Sequence, residues 1–428
     1  MTPYPPRSFT RRHPPPSDRG PRDGHPVTAP TTPSPPPPPE CPMPSRLPSL
    51  TGLRFWAALL VVLYHLSRKL GELPLLGPLA WYGRSGVTFF FVLSGFVLAW
   101  TYEGSPTPAR SFARRRFARI WPLHALTTAL SLGAGAALGL ALPVAAALWS
   151  LPLLHAWTPG TVFGGNPASW SLGAEAWFYL LFPALLRLLA PRRRGWLPLA
   201  AVCAALGPAL WAAGALLPDD PALRGWLLDY LPLTRTPQFV LGVVTGLAAR
   251  HGLLPRVPLA AAAAAVVGWH VLLVPWHAAV PDALWWGPYS ASQLFPAPLF
   301  AALLVAAARR DTAGTAPRLL AGRTAVRLGE WSYAWYLVHE IGIRCWAWTA
   351  GRPTGTGALL AVQLLLAVVT LALAGVLHRW VERPCERLLR GGPRGGGTPL
   401  PHPPVRVVRQ RRRSVSGDQP SSEPSRFT

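Results

Sequence analysis

The apolar residues of this chain fall in blocks of about twenty, the length that crosses a hydrocarbon core, rather than in amphipathic stripes. The first block, LPSLTGLRFWAALLVVLYHL over residues 47–66, is followed by GVTFFFVLSGFVLAW over 86–100. Further blocks lie at about 120–142, 170–190, 195–216, 235–250, 256–274, 291–308, 331–350 and 357–378. This pattern predicts an all-α polytopic transmembrane bundle of about ten spans. A shorter apolar piece, 143–156, is interrupted by Pro143 and Pro152. If it crossed, the next helix would deliver Arg192, Arg193 and Arg194 to the outer face, against the positive-inside rule, so it is predicted not to span. In the second block, Gly86 and Gly95 would let another helix approach closely.

Outside the blocks the composition changes. Residues 1–46 are rich in Pro, Arg, Ser and Thr, including the run Pro35–Pro39, and predict a disordered tail. The chain after Arg379 is rich in Arg, Gly, Pro and Ser and predicts a disordered tether drawn to anionic lipid, which leaves a membrane domain over 47–387 and a basic tail over 388–428. The net charge is +24, almost all of it arginine. These arginines stand in short runs beside apolar blocks, as expected of cytoplasmic loops, with no soluble basic domain for nucleic acid. The run RSFARRRFARIWP places the loop after the second block inside, and hence both termini in the cytoplasm. The arginines at 250, 256, 309–327 and 379–390 then also fall inside, and Asp219, Asp220 and Asp229 outside. The register describes a multi-pass membrane protein. Its four cysteines, Cys41, Cys203, Cys345 and Cys385, have no paired spacing, which predicts neither a disulfide framework nor a metal site. No small-residue cleavage site follows the first block, so it stays as a span.

Candidate chemistry comes from polar residues inside these blocks. Arg54 and His65 are eleven positions apart, about 20° from a common helical face and about 16.5 Å along the axis. Ionisable groups at that depth are costly and read as functional by default. The plain alternative is an Arg54 that snorkels to the interface and a His65 satisfied by a neighbouring helix. The segment SWSLGAEAWFYLLFP carries Glu175 near the outer end of its span, with Ser171 and Tyr179 one turn away on either side. GEWSYAWYLVHEI carries Ser332, Tyr336, His339 and the adjacent Glu340, with His339 near half depth. Arg115, Arg116 and Arg119 stand at the cytoplasmic end of a helix, where paired guanidinium groups suit phosphate, although topogenesis alone also calls for arginine there.

Together these segments resemble the acyltransferase 3 family of membrane O-acyltransferases. Arg54 and His65 match that family's Arg/Lys-X10-His motif, GVTFFFVLSGF its second-helix signature, and Arg116 with Arg119 its R-x-x-R. SWSLGAEAWFY, RTPQFVLG, GEWSYAWYLVH and VERP follow in the family's order, so the resemblance covers roughly 47–387. Thr88 departs from it, standing where many relatives carry an acid.

The resemblance implies an acyl-CoA cosubstrate, acetyl-CoA in particular, no bound cofactor, and a hydroxylated, sugar-containing acceptor. It also implies His65 as general base or transient acyl carrier, and Arg54 assisting at the donor. Arg115, Arg116 and Arg119 would hold CoA phosphates, while Glu175, His339, Tyr336, Ser171 and Arg235 would orient His65 or bind the acceptor. No hydrolase-like domain of the kind fused to some relatives follows the last block, so the membrane domain or a separate protein would handle the acceptor. The Arg, Ala and Pro bias is similar to that of GC-rich actinobacteria, whose family members acylate secondary-metabolite sugars or envelope glycans. A proton-coupled transporter that uses Arg54, His65, Glu175 and His339 as a relay is the alternative from a different class.

Overall fold

A computed structural model describes residues 47–390 apart from 75–76, 141–143, 219 and 280–286. The expectations for residues 1–46 and 391–428, and for Cys41, Pro143 and Asp219, lie outside the described residues. Among the described residues there are helices and no strands. Ten of the helices are long: α1 (Pro48–Leu70), α2 (Gly86–Tyr102), α3 (Ala109–Ala137), α4 (Trp170–Leu189), α5 (Trp196–Ala213), α6 (Pro232–Arg250), α7 (Leu259–Ala279), α8 (Ala297–Thr312), α9 (Arg323–Thr349) and α10 (Thr356–Leu377). Those containing α1, α2, α4, α5, α7, α8 and α10 are long and apolar enough to cross a membrane, which makes this a multi-pass membrane protein. α3, α6 and α9 are also long, but arginines and other polar residues dilute their apolar content. Composition thus supports seven of the ten expected crossings.

The helices divide by where their apolar side chains point. α1 packs along α9, and α2 along α6. α7 and α10 leave many large apolar side chains outward, such as Val267 at 61% and Leu364 at 57% exposure, as lipid-facing helices do. α1 is therefore an inner helix, and its ends are fastened from far along the chain. Its first turn has no side-chain cap of its own. Instead Ser49 donates its backbone N–H (3.0 Å) and its hydroxyl (2.7 Å) to the carboxylate of Asp311, in the last turn of α8. At the other end Gln363 of α10 donates to the Gly71 carbonyl at 2.8 Å.

The expected glycine contacts are present. A Cβ on Gly86 would lie 2.5 Å from the Ala57 carbonyl oxygen of α1, and one on Gly95 would lie 2.1 Å from that of Phe239 in α6. Gly242 of α6 returns the contact, 2.0 Å from the Val92 oxygen. Thr88 is fully buried, and its hydroxyl donates to the Gln293 carbonyl at 2.7 Å, a packing role rather than a contact with the histidine.

Three expectations are corrected. The arginine run before Ile120 is not a loop: α3 begins at Ala109, because Phe112 and Ala118 bury one side of its first turns while Arg114 and Arg115 stay exposed. The chain after Arg379 does not become irregular there. Residues 378–382 form a wide turn and Arg383–Arg390 a helix, anchored by a His378–Glu382 contact of 2.9 Å and an Arg383–Glu330 contact of 2.7 Å. Glu175 does not sit at the outer end of a span. In the segment before α4 only Val144–Ser150 is regular α-helix, seven residues or about 10.5 Å, too short to cross. The rest folds inward, where Asn166 donates to the Leu337 carbonyl in the middle of α9 at 2.7 Å. α4 thus begins beside the centre of α9.

Gly95→Val should force α2 and α6 apart. Its thermal transition in detergent should fall steeply or its monodisperse peak disappear, whereas Val97→Leu, on the exposed side of α2, should leave both unchanged.

Candidate functional site

Two groups of polar side chains gather along α1, one around each of its ionisable residues. In the first, His65 Nδ1 lies 2.8 Å from Oε2 of Glu340, and Lys69, one turn on, brings Nζ to 3.7 Å from Oε1. Glu340 is 3% exposed, so the pair is drawn together inside the bundle. The approach is off the line of a well-aligned hydrogen bond. His339 sits beside the pair, its ring centroid 5.0 Å from that of His65. Its Nδ1 donates to the Trp335 carbonyl at 3.0 Å, which leaves Nε2 buried without a partner. Tyr336, one turn earlier on α9, exchanges a 2.8 Å hydrogen bond with Ser171 at the start of α4.

The polar faces of α1 and α9 border a cavity of about 260 Å³, lined by His65, Glu340 and Tyr336 and walled by Trp170 and Tyr230. The donor atoms of His65, His339 and Glu340 all lie within 4.8 Å of one another. The sequence predicts no metal; this trio is where one would fit.

The second group surrounds Arg54. Its electrostatic neighbours are Arg119 of α3, Glu175 and Tyr179 of α4, and Glu382. The Tyr179 hydroxyl donates to the Glu175 carboxylate. Arg116 donates to the Tyr102 hydroxyl at 3.3 Å, and its guanidinium lies within 5.8 Å of the ring centres of Tyr102, Phe112 and Tyr179. Nε of Arg54 and Nε of Arg116 are buried without hydrogen-bond partners. Arg115 is exposed. Glu382 also meets His378, which lines a more open cavity of about 530 Å³ together with Arg323, Arg327, Arg379 and Arg383.

A third network, fully buried, backs the first. Asp229 is 0% exposed, and two arginines converge on it. Arg84 Nη2 reaches its carboxylate at 3.1 Å, and Arg235 lies 3.6 Å from it while donating twice to its backbone carbonyl. Arg235 also bonds Gln293, and Arg84 lies over the Tyr289 ring at 3.5 Å. Arg84 and Gln293 line the His65 cavity, but Arg235 does not.

The sequence candidates thus divide. His339 and Tyr336 join His65, with Ser171 bonded to Tyr336; Glu175, Arg116 and Arg119 join Arg54; Arg235 braces the cavity wall. Missed as site residues were Glu340, Lys69, Arg84, Asp229 and Gln293. The one usable signal for them was Glu340, an acid deep inside an otherwise apolar block.

Asp229→Asn should strip two buried guanidinium groups of their counter-charge, a loss of about 3 to 5 kcal/mol for a buried pair broken on one side. A clear fall in the chemical-denaturation midpoint of the purified protein is the expected reading, with Asp220→Asn, at an exposed position, as the silent control.

A family description reading "Acyltransferase domain" matches residues 47–379. The acyltransferase MdmB of Streptomyces mycarofaciens is 35% identical over 379 residues, which cover 80% of this chain and 92% of that protein. The exopolysaccharide production protein ExoZ of Rhizobium meliloti is 31% identical over 353 residues, 77% of this chain and 95% of the relative. Protein 2 in the picA locus of Rhizobium radiobacter is 42% identical over 92 residues, 20% of this chain and 44% of that protein. No solved structure matches the chain.

Proposed function

This chain belongs to the acyltransferase 3 family of membrane O-acyltransferases, and from that premise we propose that it moves an acyl group, acetyl in the simplest case, from acyl-CoA to a hydroxyl of a carbohydrate or glycosylated secondary metabolite. The observation that carries the reading is the His65–Glu340 contact beside a cavity large enough for a sugar ring. With Nδ1 turned to the carboxylate, Nε2 of His65 is the nitrogen left to take the acceptor's proton. The freed oxygen attacks the thioester carbonyl, the C–S bond breaks, and the departing thiolate recovers the proton from the imidazolium. Glu340 orients the ring and opposes the positive charge that forms on it, the role a buried carboxylate plays behind a catalytic histidine. This favours His65 as a base over a transient acyl carrier.

Arg54 stands about three helical turns from His65, too far to reach the same carbonyl. It serves the donor instead: Arg54, Arg116 and Arg119 meet the phosphate-bearing end of CoA, and the pantetheine arm runs along α1 to His65. The partnerless Nε atoms of Arg54 and Arg116 support that assignment. The name of the exopolysaccharide relative supports a carbohydrate acceptor. The positive-inside rule, applied to the arginine register, supports a reading in which the Arg54 end of α1 and both termini face the cytoplasm of a bacterial plasma membrane. Between Arg54 and Tyr64, α1 carries apolar side chains and one tryptophan, which interrupts the chain of polar groups that a proton relay needs.

His65→Ala should lower acyl transfer from acetyl-CoA by about 10²-fold or more while the protein still inserts in membranes. Normal turnover in that variant would remove His65 from the mechanism. Arg116→Gln with Arg119→Gln should raise KM for acetyl-CoA with little change for acetyl-pantetheine, a donor without the nucleotide. An equal effect on both donors would move the phosphate site elsewhere.

A further inference from the structure

The charge lining the His65 cavity is one-sided. Arg68, Lys69, Arg84 and Arg344 all border it, while Glu340 is the one carboxylate in its wall and is already engaged by His65 and Lys69. Arg84 is 4% exposed, and although Nη2 is matched by Asp229, Nη1 is buried with no partner. Arg68 and Arg344 have no carboxylate partner among the described residues. Arg68 is exposed and Arg344 half-buried, so water reaches both, but Nη1 of Arg84 is shut inside the protein, and a lining of this sign suits an anion.

The spacing says where that anion sits. Arg68 follows His65 by three residues on α1, and Arg344 follows Glu340 by four on α9, so each stands about one helical turn, roughly 5 Å, beyond the catalytic pair on the same face. One sugar ring bridges such a gap between its reacting hydroxyl and a charged substituent. Trp170 and Tyr230, packed edge to face with centroids 4.8 Å apart, give the wall an aromatic surface suited to the C–H face of that ring.

We propose that the acceptor is an acidic sugar, bearing a carboxylate or phosphate on the ring whose hydroxyl is acylated, and that Arg68 and Arg344, with Arg84 behind them, bind that charge. The inference rests on the reading of this cavity as the acceptor site. It adds a substrate class, because a neutral glycan would leave the surplus unmatched.

Protection of His65 from diethyl pyrocarbonate, followed by mass spectrometry on the purified full chain, tests the idea without a known acceptor. The probes are glucuronate, glucose 1-phosphate, glucose and inorganic phosphate. At least one acidic sugar should half-protect His65 at a concentration roughly tenfold or more below that of glucose, as charge-assisted hydrogen bonds warrant. Inorganic phosphate should protect less well than the effective sugar. Protection by glucuronate alone identifies a uronic acid, by glucose 1-phosphate alone a glycosyl phosphate, and by both a requirement for charge only. The advantage of the acid over glucose should vanish in Arg68→Gln with Arg344→Gln. Equal protection by glucose or by inorganic phosphate, no protection by either acidic sugar, or an advantage that survives the double variant overturns the proposal. The comparison of probes on the unaltered protein stands even if that variant does not fold. Failure of the acyl-transfer reading would appear separately, as turnover in His65→Ala.

Discussion

A carboxylate buried beside a histidine in an apolar bundle is the constraint from which the rest of this structure follows. Glu340 is nearly inaccessible, and an unpaired carboxylate there would be strongly unfavourable, so α1 and α9 must keep the register that holds it 2.8 Å from His65. α1 is also fastened at its ends to other helices: Asp311 of α8 caps its first turn, and Gln363 of α10 bonds the Gly71 carbonyl just past its last residue. α2 is in turn drawn close by Gly86, and α6 by Gly95 and Gly242. The polar chemistry is therefore carried by the most inward helices, while α7 and α10 meet lipid.

The arrangement also gives each class of buried charge its own compensation. Asp229 is the shared counter-charge of Arg84 and Arg235 behind the cavity wall, and Glu175 with Glu382 faces Arg54 and Arg119 at the other end of α1. Glu382 comes from the segment after the last long helix. That accounts for the order of this segment: its acids Glu382 and Glu386 face Arg119 of α3, and His378 contacts Glu382 one turn on.

Much of this was legible from residue type and spacing. Long apolar blocks indicated the helical class and the rough positions of ten helices, and an arginine and a histidine near one face marked α1, because ionisable groups in apolar runs are rare. What escaped depended on partners distant in the chain. Glu340 could be seen as an unusual acid, but its pairing with His65 is a contact between helices 275 residues apart in sequence. The Arg84–Asp229 pairing likewise escaped, because topology rules count charges without regard to burial. Glu175 was misplaced because depth was counted from the start of its apolar block, and the block begins only after the preceding segment has folded inward beneath it.

Between Arg54 and His65, α1 presents Ala58, Val61 and Val62, each no more than 1% exposed and packed into the main apolar core. This collar has an electrical consequence. An enzyme that takes its donor from one side of a membrane and its acceptor from another region risks opening a leak for ions and protons down the membrane potential. Here the two charged basins are divided by close-packed hydrocarbon side chains, so the bilayer remains insulated between them.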